Sequence, residues 1–274
     1  MLSSTRRLQL SISGVVVLLL LAGCSAPPPA PTATPGPLTA ATTIAARGAR
    51  EAQFVIMGDL LLYDSASHYV GYLEQDLGVK VTLIDYTTGD HAMSSLLKRV
   101  RTDERVRKAI READALMFDV GFQPFAYALA TYVSPGRAEC GGADSQDCLR
   151  EALGQYKADA DALFAEIVSL RRPSEAIIRT MDAYESKVKE TKGAGAFEVV
   201  NGYWRQANEH VIQLAGKHHI PVARVYEAFL GASGDEDPRD KGLAESDGVR
   251  PTEKGKELIA GLFRKLGYEY APKP

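Results

Sequence analysis

The chain has 274 residues with 32 basic and 35 acidic side chains, a net charge of −3, and three cysteines. No basic block interrupts that balance, which argues against a nucleic-acid partner. The length leaves room for one domain with a sizeable core. In chain order, Arg6 and Arg7 precede an apolar run over residues 8–22. The run is shorter than the ~20 residues that a bilayer-spanning helix needs. A charged start, an apolar middle and small residues before Cys24 make residues 1–23 a secretory signal.

The end of that signal, Leu21-Ala22-Gly23-Cys24, resembles a bacterial lipobox. The resemblance implies cleavage before Cys24 and a lipid on its sulfur, with the membrane as partner. The plainer alternative is an ordinary secretory signal that happens to contain a cysteine. Residues 24–46 are rich in Ala, Pro and Thr and carry six of the fourteen prolines. Such a stretch buries too little to fold and forms an extended tether. The expected place is extracytoplasmic, on the bacterial cell envelope. Loss of residues 1–23 leaves 30 basic against 35 acidic side chains.

Over residues 47–274, strand-like and helix-like segments alternate. Phe54-Val55-Ile56-Met57 stops at Gly58-Asp59. That pattern marks a buried parallel strand closing in a tight turn at the C-terminal edge of a sheet. Ligand groups collect at that edge in open α/β sheets. Tyr69, Val70, Leu73 and Leu77 space a helix over residues 66–77, and Gly78 stops it. A second strand spans 80–86. Helices follow over 93–100 and 105–113, the latter with Asp103 as N-cap. Residues 115–121 are nearly all apolar and form a third, central strand.

A loop then carries Cys140 and Cys148, which in an exported chain are read as a disulfide. Closing that short loop is worth ~2.5 kcal/mol on the chain-entropy model. Two thiolates with no nearby histidine do not make a zinc site. A long helix over 149–171, a strand over 175–181, a helix over 198–218, a strand over 220–226 and a closing helix over 252–266 complete the chain. Repeated βα units predict an α/β fold, a three-layer α/β/α sandwich around a parallel sheet of about five strands.

The blocks at these strand ends resemble the SGNH/GDSL hydrolase family, whose fold is flavodoxin-like, over nearly all of residues 47–274. The family's first block is a strand followed by Gly-Asp-Ser-Leu. Here Gly58-Asp59-Leu60-Leu61 stands in its place, with Leu60 where the resemblance puts the serine nucleophile. Thr88-Gly89-Asp90 matches the second block, whose glycine amide helps form the oxyanion hole. The third block, Gly-x-Asn, reads Gly121-Phe122-Gln123, so the donor is carried one methylene further out. Asp247-Gly248-Val249-Arg250 matches the closing Asp-x-x-His block. The resemblance makes Asp247 the residue that orients an imidazole, but the imidazole's place is held by Arg250. A guanidinium stays protonated and offers no acceptor lone pair, so it cannot be a general base.

Two of the three triad positions therefore lack the chemistry of ester hydrolysis. Among substitutes, Ser65, beside Tyr63 and Asp64, reads as a helix N-cap or as a relocated nucleophile. His68 and His91 read as surface histidines or as bases, whereas His218 and His219 fall at the opposite edge of the sheet. Asp59 with Asp247 has the form of a glycosidase pair. Arg250 is expected beside both and would keep both ionised. The expectation is an impaired, lipid-anchored SGNH-type domain retained for binding an acylated carbohydrate or another small acyl or anionic ligand, with no cofactor. The alternatives are an active carboxylic-ester or acetyl hydrolase that uses substitute residues, and a purely structural or protein-binding module.

Overall fold

The computed structural model describes residue 44 and residues 48–89, 92–120, 123–133 and 137–272. Of residues 60, 61, 63, 64, 123 and 124 it describes the backbone alone. The signal over 1–23 and the lipidation position Cys24 lie outside the described residues, which all fall in the unit Ala40–Pro274.

Five strands, β1 (Glu51–Gly58), β2 (Lys80–Thr87), β3 (Ala115–Phe118), β4 (Ile177–Met181) and β5 (Val222–Ala223), form one parallel sheet in the order β2-β1-β3-β4-β5. β1 is flanked by β2 on one side and β3 on the other, so the strand order reverses there. Crevices that hold ligands open at such points.

The helices are α1 (Leu60–Leu77), α2 (Met93–Thr102), α3 (Glu104–Glu112), α4 (Gln123–Val133), α5 (Asp147–Leu170), α6 (Val188–Gly193), α7 (Phe197–Lys217), α8 (Val225–Leu230) and α9 (Glu253–Lys265). The period-2 alternation of β1 divides them into two layers. Val55 and Met57 join Leu116, Phe118 and Ile178 in a core with α2, α3, α5 and α7. Phe54 and Ile56 join Ala115, Met117 and Ile177 under α1, α8 and α9. This is the expected α/β/α sandwich. Ile44, from the stretch read as tether, is buried in the second core.

Local outcomes differ from the sequence pattern at four places. α1 begins directly after Asp59, six residues earlier than its spacing predicted, so Ser65 is a buried residue inside the helix rather than its N-cap. β3 ends at Phe118, because the chain after it leaves the ladder to enter α4. The segment expected as a loop contains α4 and a 3-10 turn, Arg137–Cys140, before the disulfide to Cys148. β5 keeps only two residues before the chain coils into α8. The Asp103 cap holds as expected, accepting the Arg105 N–H at 2.9 Å.

One charged side chain crosses the interior. Arg179 on β4 is buried, and no carboxylate takes part in its hydrogen bonds. Its guanidinium donates to the carbonyls of Ile178 (2.9 Å), Gly267 (2.9 Å) and Glu269 (3.0 Å), fastening the segment after α9 beneath the sheet. Among the described residues no helix is long and apolar enough to cross a membrane.

Candidate functional site

The ladder register brings the strand ends level. Gly58 pairs with Thr87, Met57 with Phe118, and Phe118 with Thr180. The residues just beyond, Asp59, Gly89, Asp119 and Asp182, therefore share one edge of the sheet, and α1 opens there. Gly58 sits at φ +123°, where side chains are rarely tolerated. A Cβ at that position would lie 2.0 Å from Asp119 Oδ1. Glycine is required here because the Asp119 carboxyl occupies the space.

Asp59 and Asp119 form the inner pair of acids, only 3% and 4% exposed. The Asp59 N–H donates to Asp119 Oδ1 at 2.7 Å, and among the described residues Asp119 Oδ2 has no hydrogen-bond partner. Burial and then the neighbouring Asp59 charge push the Asp119 carboxyl well above the usual carboxylate range, against the pull of that one N–H.

The outer acid is Asp247, in the turn before α9. Its Oδ1 accepts the N–H groups of Val249 (2.9 Å) and Arg250 (3.0 Å), and its Oδ2 takes Arg250 Nε at 2.7 Å. Burial alone would raise its pKa, but Arg250 and the two amides outweigh that and hold it below the usual range. The turn is clamped onto the loop after β4. The Tyr184 hydroxyl donates to Val249 O (2.5 Å), and Lys187 Nζ donates to Asp247 O (2.6 Å). Gly248, at φ +75°, leaves no room for a side chain, since a Cβ would lie 2.1 Å from Ser186 O. Burial pushes the Tyr184 hydroxyl up, and the charges of Asp247 and Asp59 add to that, so inner and outer acids both bear on this tyrosine.

No family model matches the sequence, and no curated protein matches it. Solved structures do. A lipase, Lip_vut3, from a goat rumen metagenome superposes with a TM-score of 0.65 at 19% identity, over 80% of this chain and 98% of that one. A lipase/acylhydrolase from Enterococcus faecalis gives 0.51 at 13% identity, over 81% and 99%. An extracellular lipase from Streptomyces rimosus gives 0.50 at 13% identity, over 78% and 99%. The chain has the SGNH/GDSL hydrolase fold. At these identities the likeness concerns the fold alone.

Leu60, Gly89 and Gln123, which the resemblance matches to the family's blocks, each follow the C-terminal end of a parallel strand. Leu60 is the first residue of α1, Gly89 lies exposed in the turn after β2, and Gln123 opens α4. Among the described residues nothing lies within 4 Å of a Cβ built on Gly89, so neighbouring atoms do not demand a glycine there. Arg250 meets Asp247 as expected. Asp59, also expected near Arg250, is buried beside Asp119. His68 Nε2 lies 2.6 Å from Glu253 Oε1, joining α1 to the first turn of α9. His91 lies outside the described residues.

Four residues at the site carry no motif: Asp119, Asp182, Tyr184 and Glu185. Asp182 is buried and accepts Tyr226 N–H (2.7 Å) and Arg224 Nε (2.9 Å), while burial raises its pKa. Glu185 is also buried. Burial raises it to about 7, with Asp237 and Glu190 adding to the shift and Thr191 and Lys192 opposing it. For Asp119 and Asp182 the available signal was an acid directly following an apolar strand, the pattern that singled out Gly58-Asp59; Tyr184 and Glu185 carry no such signal. Among the described residues no group of His, Cys, Asp and Glu could hold a metal ion.

Proposed function

We propose that this SGNH/GDSL-fold domain is impaired in ester hydrolysis and serves as a binding domain, held on the outer side of a bacterial membrane through lipid on Cys24. The observation that carries the proposal is the Asp247–Arg250 pair. The carboxylate that would orient an imidazole is engaged by a group with no lone pair to take a proton. Leu60 adds the absence of a hydroxyl where the nucleophile would stand. Ser65, the nearest alternative, is buried in the body of α1, which speaks against a relocated nucleophile. The lipase and acylhydrolase descriptions of the structural neighbours favour an acyl compound as ligand, among them an acylated carbohydrate. The extracellular lipase among them accords with an exported protein.

The test is restoration of chemistry. The unmodified domain should neither hydrolyse activated esters above a matched buffer control nor label with a fluorophosphonate. Leu60→Ser with Arg250→His rebuilds nucleophile and base, and the double variant should gain labelling that neither single change shows. Adding Gln123→Asn should raise the rate further by drawing back the oxyanion donor. Dismantled triads keep ~10³–10⁴-fold over water, so a weak background decides nothing. Robust turnover by the unmodified protein would overturn the proposal, and its loss or survival in Ser65→Ala, His68→Ala and His91→Ala would show whether those residues carry it.

A further inference from the structure

A cavity of about 300 Å³ opens between α4, α6 and α7, floored by the loop after β4. Its walls are mostly apolar, with Leu129, Val133, Val200 and Trp204 contributing, and Glu185 lines it among them. At roughly 30 Å³ per non-hydrogen group, about the share of one water molecule, it holds about ten heavy atoms. The cavity adjoins the site, since Lys187 on its rim donates to Asp247 O and α4 begins at Gln123.

Glu185 is an unusual lining for such walls. It is 1% exposed, and its Oε2 has no hydrogen-bond partner among the described residues. Its Oε1 lies 2.7 Å from Thr191 Oγ1, which also lies 3.0 Å from Val188 O. The threonine hydroxyl has one proton to share between two oxygens. When that proton goes to Val188 O, the proton between Glu185 and Thr191 is the carboxyl's own. Glu185 is then neutral, and Oε2 is left as a bare carbonyl-type acceptor. The upward shift of this carboxyl, described above, favours the same state.

We propose that this cavity binds an alkyl or aryl molecule of about ten heavy atoms that carries one hydrogen-bond donor, and that the donor is accepted by Glu185 Oε2. The inference rests on the binding-domain reading and narrows its ligand. The apolar walls take the body of the molecule, and the unfilled acceptor selects its head. A buried acceptor left unfilled is costly, so a ligand lacking the donor loses about tenfold in affinity. An ionised carboxylate head is disfavoured at this end, since it brings no donor for Oε2.

The chain contains a single tryptophan, Trp204, which lines the cavity with its ring edge-on to Phe125 at 5.6 Å. Its fluorescence is therefore a reporter inside the proposed site. The mature domain is titrated with 1-octanol and with heptyl methyl ether, which matches it in size but accepts without donating, and calorimetry is run beside the fluorescence. Octanol should give a saturable change and bind at least tenfold tighter than the ether. Glu185→Leu should remove that preference, and Ala126→Phe, which fills the cavity from α4, should abolish binding. Equal affinity for alcohol and ether, no saturable signal by either method, or octanol binding that survives in a folded Ala126→Phe protein would each overturn the proposal. If Glu185→Leu does not fold, the alcohol–ether comparison and Ala126→Phe still decide it. Binding is read without turnover, so ester hydrolysis by the unmodified protein would sink the impaired-site proposal and leave this one standing. Failure of octanol to bind leaves the fluorophosphonate result untouched.

Discussion

Asp119 and Asp247 are the same residue type at the same edge of one sheet, yet their surroundings drive them in opposite directions. Asp247 is 37% exposed and collects two backbone donors and a guanidinium that is itself 65% exposed. It stays ionised, and its partner sits largely in water. Asp119 is almost fully buried, receives one N–H, and faces a second acid. Its carboxyl is instead pushed toward the protonated form. The difference shows that the protonation of a carboxyl at this site is set by solvent access and by the count of donors, not by its place on the fold. On the proposal that Arg250 stands in an imidazole's place, it also accounts for a cation at the outer position without upset to the domain. A surface ion pair contributes little, so its exchange disturbs little.

Three substitutions break or sharpen this contrast, from the largest effect to the smallest. Gly58→Ala attacks the inner side, where the new Cβ meets both a disfavoured backbone angle and the Asp119 carboxyl. Strain and overpacking together should cost about 3–5 kcal/mol in denaturant unfolding. A loss below ~1 kcal/mol would mean that the inner packing is looser than described.

Asp119→Asn comes next and carries a pH signature. The folded carboxyl is raised above its ordinary value of 3.8, so the folded state holds a proton that the unfolded state releases. Stability is complete below that ordinary value and is lost as pH rises toward the raised folded pKa. The asparagine should remove this loss, leaving the variant more stable than the parent near neutral pH and equal to it in acid. Thermal melts across pH measure the gap, and a gap that fails to widen with pH would contradict a protonated Asp119.

Arg250→Ala removes the guanidinium from the exposed pair. Asp247 keeps both backbone donors, so the change should stay below ~1 kcal/mol and shrink further in added salt. A cost of several kcal/mol would place the guanidinium inside the fold and erase the distinction between the two acids.

Much of the fold is visible in the sequence because strands and long helices announce themselves by period. The apolar run ending at Gly58 and the stripe of Leu153, Tyr156, Ala160, Leu163 and Ile167 on α5 are of that kind. α4 is hidden because Gln123–Val133 is apolar on nearly every face and opens with Gln-Pro, which reads as a loop. β5 is overextended in the sequence because an apolar run cannot show where pairing with β4 stops, and only two residues pair. The outer site is legible because Asp247 and Arg250 lie three residues apart and meet locally. Asp119 and Glu185 are not, because what distinguishes them is distant. Asp119 depends on a glycine some sixty residues earlier, and Glu185 on helices that close over it.

Arg179 has a consequence in time as well as in space. Two of the three residues whose carbonyls accept from its guanidinium, Gly267 and Glu269, lie beyond α9. A chain that is stalled or clipped before residue 267 leaves a cation within the sheet with Ile178 O as its remaining acceptor. A buried charge stripped of its partners costs several kcal/mol, a large part of the stability of an ordinary domain. β4 therefore gains these two acceptors only when the segment after α9 comes back beneath it.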